Sequence, residues 1–328
     1  MKNVFICPKC KNLLDNFICP ECKHEVPVIN SVYRFCDDPP VKLEGENKYI
    51  GYDYIGEDFE PEIKYWDANN KKCHGVYNTC GNLVAETFGK NITVLDLGAG
   101  LGSASLPIAG KGIFTVAGDI SNIMLSTAVK RAGGRYKNLV FVRMNAYDIP
   151  LADNSVDIVV ENALFHLMDN PERVIREIVR VLKPKGCLVR YGSSALELNK
   201  EEEEANSYCN SVINDISEVF YKTLDSMGCK LTYFDNHFFD IILNYFNTPC
   251  RKVAAGFAEE FTDKLKFRLH RIKNGAHSDL VSVPKETIDT AWQKAHNYAV
   301  EKYGGDYFEI KGFSRYGACI YVYEVKGK

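Results

Sequence analysis

Short apolar runs and amphipathic stretches alternate from Ile92 to about residue 195. "ITVLDL" predicts a strand, "SASLPIAGK" a helix, "IFTVAGD" a strand and "NIMLSTAVKRAGG" a helix. "LVFVRMN" and "VDIVVEN" predict two further strands, "NPERVIREIVRVLKPKG" a helix and "CLVRYGS" a strand. Near-continuous apolar strands separated by helices imply an α/β fold, a parallel sheet covered on both faces.

The flanks are patterned differently. Residues 1–38 form a distinct cysteine-bearing segment, and "DDPPVKLEGENKYIG" reads as a linker because consecutive prolines and polar residues break regular structure. Helical patterning runs through residues 60–90, for example "VYNTCGNLVAETFGK", with a Gly-Lys stop. After residue 196, "EEEEANSYCNSVINDISEVFYKTLDSMGC" predicts a long helix whose glutamates lie at the positive end of its dipole. "KLTYFDNHFFDIILNYF" fits strands or helix, residues 250–303 read as helical, and "FSRYGACIYVYEVK" closes the chain as a strand. The expected organisation is therefore 1–38, a small metal-bearing unit; 39–90, linker and helices; 91–196, the α/β core; and 197–328, the rest of the core with a helical cap.

Composition narrows the function classes. The 328 residues are 46% hydrophobic and carry a formal net charge of −3, so a generic polyanion binder is not expected. No apolar run approaches the roughly 20 residues that span a bilayer. The start "MKNVFICPKC" lacks the apolar core of a secretion signal, so the cytoplasm and no membrane partner are the expectations. Eight of the 12 cysteines are scattered without pairing rhythm, as expected of a chain kept in a reducing compartment.

The other cysteines lie in "CPKC" and "CPEC", which put Cys7 with Cys10 and Cys19 with Cys22 across the eight residues "KNLLDNFI". Two such knuckles can give four thiolates to one tetrahedral zinc. A segment this short buries too little core to fold alone, so metal would supply the missing stability. Four thiolates leave no open position, which makes the zinc structural and points to a docking or recognition role. His24 and Cys36 are substitute ligands.

"VLDLGAGLG" at residues 94–102 is a strand running into a glycine turn. Closely spaced glycines let the backbone approach a ligand where a side chain would collide. The glycines fall at 98, 100 and 102, with Ser103 where the dinucleotide fingerprint has its third glycine. "VAGDIS" ends a second strand at Asp119, where a carboxylate can accept hydrogen bonds from both ribose hydroxyls. Turn and acid together imply a nucleoside cofactor, and the spacing disfavours a nicotinamide dehydrogenase.

"VLDLGAGLG", "AGDIS", "MNAYDIPLADNSVDIVVENALFHL" and "VIREIVRVLKPKGCLV", in this order, resemble the successive motifs of the class I S-adenosylmethionine-dependent methyltransferases of the UbiE-like type. The resemblance covers residues 92 to about 195. It implies a Rossmann-like core with a mixed seven-stranded sheet, here with a zinc ribbon before it and a helical cap inserted. By position, Asp96, Leu97, Gly98, Ala99, Gly100 and Gly102 would hold the amino-acid end of S-adenosylmethionine, and Asp119 and Ile120 the ribose. Asn145 stands where the family usually has an acid facing the adenine amino group; an amide oxygen can accept from it and the amide NH₂ can donate to the ring. Ala146 would sit by the adenine, and Glu161 and Asn162 beside the transferred methyl. His166, Glu161 and Tyr191 are candidates for contacts with the acceptor. Upstream aromatics Tyr52, Tyr54 and Trp66 either close over the cofactor or pack in the core.

The leading expectation is methyl transfer to a small molecule, supported by the aromatic-rich 197–310 region. The alternative is RNA base methylation. A zinc ribbon before such a core resembles the arrangement of the ribosomal RNA guanine-N1 methyltransferases, but those have a histidine among their zinc ligands. The ribbon here is charge-balanced, and its "VPVINSVYRF" replaces their characteristic run. The basic stretch 263–273 reads equally as a solvated helix face. A third reading is a non-catalytic protein that binds the cofactor and no longer turns it over.

Overall fold

The computed structural model describes residues 3–36, 75–231, 237–248, 250–262, 264–280 and 283–328. Of the linker and helices expected over 39–90, residues 39–74, with Tyr52, Tyr54 and Trp66, lie outside the described residues. The chain forms β1 (Val28–Ile29), β2 (Val32–Arg34), α1 (Gly75–Phe88), β3 (Thr93–Leu97), α2 (Ser105–Gly110), β4 (Phe114–Asp119), α3 (Asn122–Ala132), β5 (Leu139–Arg143) and β6 (Val156–Glu161). It continues through α4 (Pro171–Val181), β7 (Leu182–Ala195), α5 (Lys200–Ser226), α6 (Phe238–Tyr245), β8 (Arg251–Phe261), α7 (Lys264–Lys273), α8 (Lys285–Tyr303) and β9 (Ser314–Glu324). No helix among the described residues is long and apolar enough to cross a membrane.

All these strands join one nine-stranded sheet in the order β1-β2-β5-β4-β3-β6-β7-β9-β8. The run from β5 to β8 is the expected seven-stranded mixed sheet. The two additional strands come from the cysteine-bearing segment: β2 pairs in parallel with β5, and β1 turns back on β2. The count of nine corrects the expectation of seven, because a free edge at β5 offers ladder hydrogen bonds that residues 28–34 take up. From β2 to β7 the pairing is parallel, while β9 runs antiparallel to both β7 and β8.

Two expected elements are corrected. Residues 251–261 are strand β8, not helix. Their alanines favour helix locally, but pairing with β9, through two register shifts, overrides that preference. Helix α4 stops at Val181 rather than running through the "LKPKG" sequence, because the residue before Pro184 is driven out of the helical region.

β3 is buried along its whole length, as a strand flanked by β4 and β6 and covered on both faces must be. Helices α1 and α2 cover one face near it, where Cys80, Val84 and Ile108 pack on Val94 and Ile158. Between β7 and β9 the chain inserts α5, α7 and α8, which share their own core of Phe220, Leu224, Leu269, Trp292 and Tyr307. The predicted glutamate-rich start of α5 is a capping box: Asn199 Oδ1 accepts from Glu202 N and Glu202 Oε2 accepts from Asn199 N. Glu202 also pairs with Arg315 of β9 at 3.0 Å, tying the inserted helices to the sheet.

The successor of β3 lies on one side of it, at β4, and β6 lies on the other. In open α/β sheets the crevice at such a reversal, outside the carboxyl ends of the strands, is where ligands bind. The α1–α2 contact that flanks it is tight: a Cβ added to Gly81 would come 2.7 Å from Pro107 Cβ. Gly81→Ala gains about 1 kcal/mol in helix propensity, but overpacking against a rigid ring costs about 1–3 kcal/mol. The expected outcome is a lower urea midpoint than wild type with an unchanged slope.

Candidate functional site

At the end of β3 the chain leaves the sheet through Gly98, Gly100 and Gly102, with φ of 76°, 51° and 76°. This left-handed region is costly for residues with a Cβ. The amides of Gly98 and Ala99 both donate to the Gly118 carbonyl, at 2.8 and 2.9 Å, which pins the turn to β4. A Cβ on Gly98 would meet Leu164 at 3.2 Å, whereas one on Gly100 would meet nothing within 4 Å among the described residues. Gly100 therefore leaves backbone that the described residues do not cover.

Asp119, at the tip of β4, reaches back to this turn. Its Oδ2 accepts from Gly100 N and its Oδ1 from Ser121 N, both at 2.8 Å. Ser121 Oγ in turn accepts from Met124 N at 3.2 Å and caps α3. The half-buried carboxylate thus locks two loops into one rim. Ile120 follows on the rim, and its carbonyl accepts from the buried Arg143 guanidinium at 3.0 Å.

Beneath the rim, Leu97 and Ala99 are buried and Asp96 is 3% exposed. Ser105 Oγ donates to Asp96 Oδ2. Burial pushes the Asp96 carboxyl up to about 7, with the negative charges of Asp119 and Glu161 adding to the rise. Glu161, at the end of β6, is fully buried. Its Oε1 accepts from Leu164 N at 2.7 Å and Phe165 N at 3.2 Å, and its Oε2 from Arg190 Nε at 2.6 Å. Arg190 lies over the rings of Phe238 and Phe239 at 5.0 and 4.9 Å. Both Glu161 oxygens are consumed inside the protein, an arrangement that shapes the turn after β6 and neutralises Arg190.

Next to it, Asn162 Nδ2 donates to Tyr77 Oη of α1 at 2.5 Å. Tyr77 meets Tyr191 of β7 edge to face, with ring centroids 5.8 Å apart. The Tyr191 hydroxyl is closed to solvent and has no hydrogen-bond partner among the described residues. Burial raises both phenols, Tyr77 to about 12. Tyr77 was not singled out in the sequence, where it is one of several apolar positions on a helix; its meeting with Asn162 and Tyr191 depends on how α1 crosses the sheet. His166 sits in a short 3₁₀ turn between buried Phe165 and Leu167 and is itself exposed. Partial loss of solvation lowers its pKa, which leaves the ring uncharged at neutral pH.

Asn145 is exposed on the loop after β5, and its Oδ1 accepts from Tyr147 N at 3.0 Å in an Asx turn. Ala146 beside it is half-buried. From the cap, Ala276 packs on Met124 with Leu101 and Ile123 around it, so the inserted helices reach the tip of the glycine turn.

At the far edge of the sheet, the sulfurs of Cys7, Cys10, Cys19 and Cys22 all lie within 4.8 Å of one another. The two knuckles are built alike. Lys11 N donates to Cys7 O and Lys23 N to Cys19 O, and both lysines take left-handed φ, 61° and 58°. Tetrahedral zinc with Zn–S bonds near 2.3 Å needs sulfurs about 3.8 Å apart. The closest sulfur pairs stand at 3.4 and 3.5 Å, so the donor set and its compactness fit such an ion. His24 and Cys36 are not part of the cluster.

Residues 95–190 match the family model described as a methyltransferase domain. Demethylmenaquinone methyltransferase of Clavibacter sepedonicus is 37% identical over 96 residues, which is 29% of this chain and 39% of that protein. An uncharacterized methyltransferase of Mycobacterium bovis is 42% identical over 95 residues, 29% of this chain and 37% of the relative. The match thus spans about two-fifths of the length of these curated relatives. Among solved structures, the YcgJ protein of Bacillus subtilis is 18% identical with a TM-score of 0.42, covering 76% of this chain and 98% of its own.

Two substitutions test the carboxylates. Replacing Glu161 by Ala leaves Arg190, only 17% exposed, without its counter-charge; urea unfolding is expected to show a loss of about 3–5 kcal/mol. The raised Asp96 pKa makes the folded state hold a proton that the unfolded chain releases above about 4, so its stabilisation is complete at lower pH and is lost as pH rises through about 7. Asp96→Asn keeps the acceptor for Ser105 and should flatten that decline between pH 4 and 7, measured as unfolding free energy against pH.

Proposed function

We propose that the chain is an S-adenosylmethionine-dependent methyltransferase acting on a small-molecule acceptor. The observation that carries this reading is the left-handed glycine turn held to the Asp119 carboxylate, with Gly100 uncovered by the described residues. The methyltransferase-domain match over residues 95–190 supports it. The name of the Clavibacter relative, demethylmenaquinone methyltransferase, supports a small acceptor.

The donor supplies an electrophilic methyl group, and the chain's task is alignment more than chemistry. In this reading the backbone of residues 98–102 holds the amino-acid end, Asp119 and Ile120 the ribose, and Asn145 and Ala146 the base. Asp96 lies below the turn, and ionising it favours a cationic donor. Tyr77 and Asn162, hydrogen-bonded to each other beside the end of β6, line the acceptor side in this reading, with the buried Tyr191 ring behind them. Both phenols keep their protons at neutral pH, so neither is the base. The uncharged His166 imidazole is the group suited to take a proton where the acceptor must lose one. The contact of the cap with Leu101 and Met124 suits an enclosed crevice. Cys7, Cys10, Cys19 and Cys22 would hold one zinc with no open coordination position, a structural ion that supplies no chemistry to the transfer itself.

Calorimetry with S-adenosylhomocysteine tests the reading. One site per chain is expected, and Asp119→Ala should weaken it by about 10- to 100-fold, the effect of losing hydrogen bonds to a charged group. Absence of binding by the wild-type protein would overturn the proposal. Methyl transfer to bulk RNA that falls steeply with salt would favour base methylation instead.

A further inference from the structure

The loop over residues 145–152 connects β5 to β6 and carries Asn145 and Ala146, but has little regular structure of its own. Its shape is imposed by what flanks it. On one side stands α4: Ile149 N donates to Glu177 Oε2 at 2.8 Å, and Arg180 donates to the Ile149 and Leu151 carbonyls, both at 2.7 Å. On the other side stands the cysteine ribbon. Ile6 N donates to Pro150 O at 3.0 Å, Ala152 N to Val4 O at 2.8 Å, and Phe5 bridges Leu151 in antiparallel fashion. Lys11, the residue after Cys10, reaches both Asp148 oxygens at 3.0 Å. The ribbon's β2 lies along β5, and Phe35 N donates to Arg143 O at 2.9 Å, two residues before Asn145.

We infer that the metal-loaded ribbon is a positioning device for the base-recognition loop, so that occupancy of the four-cysteine site sets the affinity for the methyl donor. This rests on the function proposed above. The first knuckle places the contacts directly, since Lys11 N is held by Cys7 O at 2.9 Å and Cys7 N by Asn12 O at 2.8 Å. The Lys11–Asp148 pair is exposed on both sides, 52% and 61%, and by itself holds little. The backbone bridges at residues 4–6, in the buried company of Phe5, Leu14, Phe17 and Leu151, do the holding. Without an ion, four thiols cannot keep the knuckles closed, and the outer wall of the loop is released.

The test uses the full-length chain with zinc present, zinc removed by a chelator, and zinc restored. Affinity for S-adenosylhomocysteine is read by calorimetry, and amide protection by hydrogen exchange. Removal is expected to weaken binding at least tenfold and to expose amides 145–152 while β6 keeps its protection; restored zinc reverses both. A zinc-free chain with β6 still protected that binds within twofold of the loaded chain overturns the inference. Failure of the zinc-loaded chain to bind at all overturns the proposed function and the inference with it. Should chelation unfold β6 as well, Phe5→Ala, which leaves all four cysteines intact and removes the buried ring that bridges and packs with Leu151, decides the matter. Binding weakened at least threefold supports the inference, and unchanged binding overturns it.

Discussion

The site depends on a backbone constraint at the end of β3. The strand is buried on all sides and must leave the sheet across the seven residues 98–104 to reach α2. It does so through alternate left-handed glycines, with two amides on one carbonyl of β4 and a third on the Asp119 carboxylate. The same feature makes the turn compact and leaves backbone at Gly100 that the described residues do not cover. Cap contacts at Leu101, the packing of Leu164 on Gly98 and the start of α3 are all arranged around that turn.

Three acids gather at this end of the sheet, and each is satisfied differently. Asp119 is half-buried and spends its oxygens on backbone amides of the rim. Glu161 is fully buried and balanced by Arg190, itself covered by phenylalanine rings. Asp96 has a serine hydroxyl and, among the described residues, no ion-pair partner, and burial raises its pKa to about 7. A buried charge is costly unless paired, and Asp96, whose carboxyl burial raises to about 7, lies directly below the turn. The phenols of Tyr77 and Tyr191 and the Asn162 amide lie beside these acids and supply neutral hydrogen-bonding groups.

The cysteine segment has two structural links to the sheet. It extends the sheet by two strands, and it braces a loop on the opposite side from α4. A small unit with four sulfurs drawn together is stiff for its size when metal ties it. Its stacked Phe17 and Tyr33 rings, with centroids 3.5 Å apart, and buried Phe5 continue the main core rather than forming a separate one.

Much of this was legible in the residue order. The alternation of short apolar runs with amphipathic stretches over residues 92–195, the glycine spacing, the acid at the end of "VAGD" and the paired Cys-x-x-Cys knuckles are local signals, because each depends on neighbours a few residues away. Tertiary structure decided what pairing partners decide. β8 is a strand because β9 is beside it, and residues 28–34 become strands because β5 has a free edge. Glu161, marked by its place at a strand end, became an internal counter-ion only when β7 brought Arg190 to it. Tyr77 gained its hydrogen bond with Asn162 only through the packing of α1 beside a residue 85 positions away in the chain. Local sequence sets conformational preference, whereas burial and charge pairing are properties of the space between distant segments, and only the folded chain defines that space.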